Sequence, residues 1–506
     1  MSKSLPSRPR LEQLKTQAKE LLHAWQSGEP AAHQRFRENH PQGPSVDTYA
    51  RDASWSLSDA QLVIAREYGA ASWPKLREHV AAMLVATGDK MELLRQAFAE
   101  DDATLFRQLL ERYPALKARI DEPVEAFQSP VMTQVRSREM LNVLLDAGAA
   151  INVRSKWWAG GFGLLDTAEP ELARYAIERG ATVDVHAAAR LGMVERLQAM
   201  LQADPQLVHA RGGDGQTPLH FASSVAVAEL LLKYGADINA LDVDHESTPA
   251  QYMVRDRPEV VRYLVQHGCR TDLLLAAALG DAALVRRHLD LDPSCIRLRV
   301  TSEYIPMRNP HSGGTIYQWM LGWYVSPHEV ARAFGHPEIM RFLMERSPTD
   351  VRFLAACWMA DENEIRALLT QQPALITTLT SDDRRHVALA ARNNRTEVVR
   401  GMLAAGFPVD ATGQHEGTPL HWAAFHGNVE MTREILRYHP PLEQTDRDFK
   451  GTPLGWAIHG SVHGWHAKTG DYPGVVELLC AAGAKRPENP TNGTEAVRNV
   501  LSKFHT

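Results

Sequence analysis

Apolar residues recur along most of this 506-residue chain at helical spacing, in pairs of short runs separated by tight turns. The stretch TPLHWAAFHGN, from Thr418, shows the pattern best. A Thr-Pro start opens one apolar run, a turn follows near Gly427, and a second helical pattern opens at Met431, thirteen residues after the Thr. Each part has a local cause. Proline suits the first helical position because its missing N–H would find no partner there. The Thr or Ser before it caps the free N–H groups of the first turn. The second run stops at a glycine, which reaches the left-handed region without a Cβ penalty; Gly148, Gly180, Gly235, Gly268, Gly406 and Gly483 all stand in such places. Leu231-Leu232, Leu264-Val265 and Leu478-Leu479 form the apolar stripe of the second helix in three of these units.

The unit repeats. Thr217-Pro218-Leu219-His220 copies the start at Thr418, and Thr248-Pro249, Ser326-Pro327 and Thr452-Pro453 are partial copies. This Thr-Pro-Leu-His start with a following helix pair resembles the ankyrin repeat. The resemblance implies an all-α ankyrin-repeat solenoid of about a dozen helix pairs with short β-turn fingers, here over 87–486, followed by a C-terminal tail over 487–506. Four second helices end at Pro114, Pro205, Pro293 and Pro373 instead of glycine, roughly 80 to 90 residues apart, so the repeats group into a longer unit of about three. Such a repeat cannot bury its apolar face alone. It stacks on neighbours and leaves a concave surface for binding.

Residues 1–86 differ in kind. Leu11, Leu14, Ala18, Leu21, Leu22 and Trp25 make an amphipathic helix closed by Gly28, and PAAHQRFRENHP follows as a shorter one. A loop to about Trp55 precedes Ser58-Asp59, which caps AQLVIAREYG, and Trp73-Pro74 opens a last helix through Leu84. The segments LKTQAKELL…RFRENHP and LSDAQLVIAREYGAASWPKLREHV resemble a helical leader found on some bacterial ankyrin-repeat proteins. That resemblance implies a bacterial source and no activity. Two roles stand open for this region, a helical cap over the first repeat or a module that docks a partner.

Charge and cysteines narrow the partners. A net charge of −6 with 23% charged residues carries no basic footprint, so no nucleic-acid partner is expected. The start lacks an apolar signal region and no run of 18 apolar residues occurs, so no membrane partner is expected and the protein reads as cytoplasmic. Cys269, Cys295, Cys357 and Cys480 lack CxxC spacing and read as reduced core residues.

Function is sought where the repeat is interrupted, because insertions fall on one face of a solenoid, often its binding face. From Pro205 to Thr217 there are twelve residues, but from Pro293 to Ser326 there are 33. The extra length lies within 296–325, where Ile296, Leu298 and Val300 alternate, as do Ile305 and Met307, which predicts a short hairpin. Tyr317, Trp319, Trp323 and Tyr324 follow. A second insertion, at 461–472, carries His463, Trp465, His466, Lys468, Asp471 and Tyr472. His220 and His421, at the fourth position of the start, are expected to bond within or between repeats. Aligned on the Thr-Pro starts, Phe425, His426 and His459 end their first helices, a position that in ankyrin proteins faces the concave surface. Gly455 stands where the family has its histidine.

These observations predict a ligand-binding set of Tyr317, Trp319, Trp323, Phe425, His426, His459, His463, Trp465, His466 and Tyr472. His459, His463 and His466 are four and three residues apart, but Gly460 and Gly464 interrupt the helix and no HExxH or cysteine pair supports zinc. No metal and no cofactor is expected. Two functions remain. The first is a recognition scaffold binding a protein or peptide on the concave face. The alternative is a site for a small aromatic or sugar-like ligand, with His459, His463, His466 and Asp471 as candidates for acid/base catalysis.

Overall fold

A computed structural model of the protein describes residues 3–6, 9, 11–43, 55–87, 90–123, 129–487 and 492–504. The predicted loop leading to Trp55 lies outside them. The chain forms two compact units, residues 1–237 with 242–244, and residues 238–241 with 245–506. Both are helical. No strand occurs among the described residues, only an isolated bridge between Pro123 and Pro130.

In the first unit the N-terminal helices Leu11–Gln26, Pro30–Asn39, Leu57–Glu67 and Trp73–Thr87 bury Leu14, Leu21, Phe36, Val63 and Ile64 against one another. The Glu67 carboxylate sits inside this bundle and accepts from Arg35 Nε at 2.6 Å, Arg35 Nη2 at 2.8 Å and Lys3 Nζ at 2.6 Å. Burial alone would raise its pKa; the two cations outweigh burial and hold it below the usual range. Helix Trp73–Thr87 joins the next helix pair through Arg77, whose guanidinium donates to Asp102 at 3.2 Å, and through Gln108, which donates to the Glu78 carbonyl. Further along, the start at Thr217 gives only a 3-10 turn, Pro218–Phe221, because Ser224 already caps the second helix, Val225–Lys233.

The second unit stacks seven helix pairs, from Pro249–Met253 and Pro258–Gln266 to Pro453–His463 and Tyr472–Ala481. Leu420, Met431, Ile435, Leu454, Val475 and Leu479 fill the late core, and helix Glu495–Lys503 buries Val497 and Leu501. Thr418 and His421 show how a start is built. The Thr418 N–H donates to His421 Nδ1 at 3.1 Å, and His421 Nε2–H donates to the Gly451 carbonyl at 3.1 Å, so one ring caps its own helix and ties it to the next finger. At Gly455 there is no ring to do this. Asp446 substitutes, accepting from the Gly451 N–H at 2.8 Å and from Trp456 Nε1–H at 2.9 Å.

The hairpin expected within 296–307 does not form. Asp292 caps a 3-10 turn, Pro293–Arg297, which takes up the first half of the alternation. Val300 then pairs with the far end of the insertion: its N–H donates to the Val325 carbonyl at 3.1 Å and its carbonyl accepts from Tyr324 at 2.9 Å. Pro114 and Pro205 likewise open 3-10 turns, with Asp204 capping the second.

Candidate functional site

The finger 296–325 is fastened through buried polar groups. Arg299, 5% exposed, donates to Glu329 at 3.3 Å and to the Tyr324 carbonyl at 3.2 Å. Burial pushes the Glu329 pKa up while Arg299 and Ser326 pull against it. Tyr324 shares a hydrogen bond with His386 Nε2 at 2.9 Å, and Trp358 donates to His386 Nδ1 at 3.1 Å. Tyr317 is fully buried and its hydroxyl donates to Asp272 at 2.9 Å, so its ring fills the stack instead of facing solvent. Trp319 is exposed and lies beside His245, with ring centres 4.8 Å apart. Of the finger's tryptophans, Trp323 alone extends towards the late repeats.

The insertion 461–472 approaches the stack backbone to backbone. Helix Pro453–His463 runs past the usual end of a first helix, and the chain then folds back so that the Asp471 N–H donates to the Gly427 carbonyl at 2.9 Å. A Cβ on Gly460 would stand 2.6 Å from the Phe425 carbonyl, and one on Gly470 2.5 Å from the His426 carbonyl, so only glycine permits this approach. Asp471 caps helix Tyr472–Ala481, accepting from the Gly474 N–H at 2.9 Å. Tyr472 is buried and donates to the Phe425 carbonyl at 2.9 Å. Both residues therefore hold the insertion in place.

Arg392 joins the two insertions. Its guanidinium lies 3.7 Å from the centre of the Trp323 ring, 5.3 Å from Trp465 and 5.7 Å from Trp422. Nε donates to Gln414 Oε1 at 2.6 Å, and Asn393 donates to the Trp323 carbonyl at 2.8 Å. Burial draws the Arg392 pKa down to about 10, and no carboxylate among the described residues offsets that. Sequence reasoning passed over this arginine because its repeat lacks a Thr-Pro start. A register signal was present all the same. Asn394 and Gly427 both take left-handed backbone, φ 55° and 65°, and aligning them places Arg392 level with Phe425.

Around this centre Trp465 stacks on Trp422 at 6.0 Å, meets Phe425 edge-on at 5.4 Å and remains 60% exposed. His426 is buried; its Nε2–H donates to the Arg392 carbonyl at 2.8 Å, and burial pushes its pKa down to about 4, so it is neutral near pH 7. His426 Nδ1 and Trp422 Nε1 are both buried without a hydrogen-bond partner among the described residues. His466 lies 5.1 Å from His426, whereas His459 and His463 pair with each other at 4.8 Å on the exposed side of their helix. The structure thus brings together Trp323, Phe425, His426, Trp465 and His466 around Arg392. Tyr317 and Trp319 stand apart from this cluster.

Stacked helix pairs with side chains presented from the ends of first helices define a repeat-type interaction module. A sequence model of three ankyrin repeats matches residues 185–290 and 387–489, and the second stretch holds Arg392 and the whole late cluster. The chain is similar to the E3 ubiquitin-protein ligase XB3 of Oryza sativa subsp. japonica, 37% identical over 86 residues, which is 17% of this chain and 19% of that protein. It is also similar to the E3 ubiquitin-protein ligase KEG of Arabidopsis thaliana, 24% identical over 250 residues (46% and 15%). A third relative, ankyrin repeat and SAM domain-containing protein 6 of Rattus norvegicus, is 29% identical over 135 residues (26% and 15%). The chain therefore spans less than a fifth of the length of each. Among the described residues no helix is long and apolar enough to cross a membrane.

Proposed function

We propose that this protein is a recognition scaffold that binds a protein or peptide segment along the ends of successive first helices, at Arg392, Phe425 and His459, beside Trp323 and Trp465. One observation carries the reading: Trp465 is 60% exposed yet held by ring contacts to Trp422 and Phe425. A large aromatic side chain fixed in place but open to solvent loses little freedom on binding and is the kind of anchor that dominates interfaces. Residues 1–86, of the bacterial leader type, cap the first repeats in this proposal, supported by the Arg77–Asp102 contact. The four free thiols fit a cytoplasmic setting.

The test is selection of a randomised peptide library on the full chain, followed by titration of the selected peptides. Binding that survives on the wild-type protein and is lost in Trp465→Ala, with unchanged thermal unfolding, supports the proposal. Peptides that bind both proteins equally place recognition elsewhere.

A further inference from the structure

We infer that the groove at Arg392 takes a carboxylate side chain, an Asp or Glu carried on the extended segment of a protein partner. The inference rests on the recognition reading and gives that site its charge preference. Arg392 is a guanidinium held among aromatic rings, with Trp323 at 3.7 Å and Trp465 at 5.3 Å from its centre. Among the described residues its one side-chain hydrogen bond, from Nε to the Gln414 amide oxygen, is to a neutral group. Three other arginines of the same unit each meet an acid: Arg297 meets Asp350 at 2.6 Å, Arg299 meets Glu329 at 3.3 Å, and Arg352 meets Glu364 at 2.5 Å. Arg392 is half-buried and has no such counter-charge among the described residues, burial being the sole cause of its lowered pKa. A guanidinium offers a planar fork of donors that matches a carboxylate.

A second observation points to a ligand at the same place. Trp422 Nε1 is a buried donor and His426 Nδ1 a buried acceptor, since His426 Nε2 already donates to the Arg392 carbonyl; neither atom has a partner among the described residues. Unpaired buried polar atoms are rare and costly, and here two of them adjoin an unpaired cation. The flat rings of Trp323 and Trp465 exclude water around the guanidinium, which strengthens its attraction for an incoming anion. Flanking repeats extend the site. First helices pack about 8–10 Å apart, so Arg392, Phe425 and His459 span roughly 16–20 Å, the reach of about five or six extended residues. That length suits a peptide with one acidic residue beside an apolar one.

A competing role for Arg392 is a rivet that only joins Trp323 to Trp465, and the experiment separates the two. Twelve-residue randomised peptides are selected on the full chain, then resynthesised with acetylated and amidated ends so that side chains alone carry charge. The expected result is an Asp or Glu fixed at one position. Replacing it by Gln or Asn should weaken binding to the wild-type protein about tenfold or more. In Arg392→Gln that ratio should fall to below about twofold, and in Arg392→Lys it should be intermediate, because the point charge remains but the fork is gone. The Lys variant keeps the test decisive if the Gln variant unfolds. Peptides that require Trp465 but show no acidic position overturn the carboxylate site and leave the recognition reading standing. Failure to select any peptide that requires Trp465 overturns both. An acid-to-amide ratio unchanged in both Arg392 variants identifies the rivet.

Discussion

The finger at 296–325 and the loop at 461–472 both add aromatic residues to the second unit, but they are attached by different chemistry. The finger is held by buried polar side chains: Arg299 with Glu329, Tyr317 with Asp272, and Tyr324 with His386. The loop is held mainly by backbone contacts that glycines permit, with the buried hydroxyls of Ser461 and Tyr472 as further anchors. Side-chain anchoring consumes the aromatic groups that provide it, so Tyr317 and Tyr324 vanish into the core. Backbone anchoring leaves them free, and Trp465 remains on the surface. The lesson is that aromatic content in an insertion predicts display only when something else does the fastening.

This difference is open to a direct break. Arg299→Met should cost about 3–5 kcal/mol, because Glu329 is left as a buried charge without its cation or must protonate. A chemical-denaturation midpoint close to wild type would erase the contrast between the two insertions. Tyr317→Phe removes one buried hydrogen bond and leaves Asp272 short of a donor, an expected loss of about 1–3 kcal/mol read in the same way.

Buried histidines should make the two insertions respond to acid with one sign. His328 beside the finger and His426 beside the loop are each pushed down to about 4, by burial first and by nearby arginine charge in addition. In the unfolded chain both return to about 6.5, so between about pH 6.5 and 4 the unfolded state binds protons that the folded state refuses. These two rings therefore take stability from the second unit as pH drops through that window, while Glu329, whose pKa burial raises, contributes with the opposite sign. Imidazole NMR signals of His328 or His426 that titrate near 6.5 in the folded protein would contradict the buried neutral state of these rings. The smallest effect belongs to the loop: Trp465→Ala should change stability by no more than about 0.5 kcal/mol in a thermal melt. A larger loss would mean that Trp465 holds the loop as Tyr317 holds the finger.

Much of the architecture could be read from residues whose local chemistry is self-sufficient. Thr418-Pro419 caps its own helix start, and the same holds for Ser326-Pro327 and Thr452-Pro453, whereas Thr217-Pro218 opens only a 3-10 turn. The predicted hairpin failed because alternation is a weak signal over a few residues. Asp292 and Pro293 impose a turn locally, and the partner of Val300 lies some 25 residues away, at Tyr324 and Val325. The site was legible in part. Phe425, His426 and Trp465 stood out by position and by type, and they do meet. Arg392 did not stand out, since an arginine at a helix end is ordinary in sequence and becomes unusual only when its acid is found to be missing. Tyr317 looked like Trp323 on paper; burial separated them.

Trp422 lies within 5.0 Å of Trp456, nearly perpendicular at 87°, and within 6.0 Å of Trp465 at 29°. Indole rings this close exchange excitation, and their relative tilt sets the sign and size of the near-ultraviolet circular dichroism they produce together. The late repeats thus carry a built-in optical signature that depends on the angle between neighbouring helices and on the seat of one surface ring. Slippage of a single repeat, or a guest lodged against Trp465, would register as a change of spectrum without any attached dye.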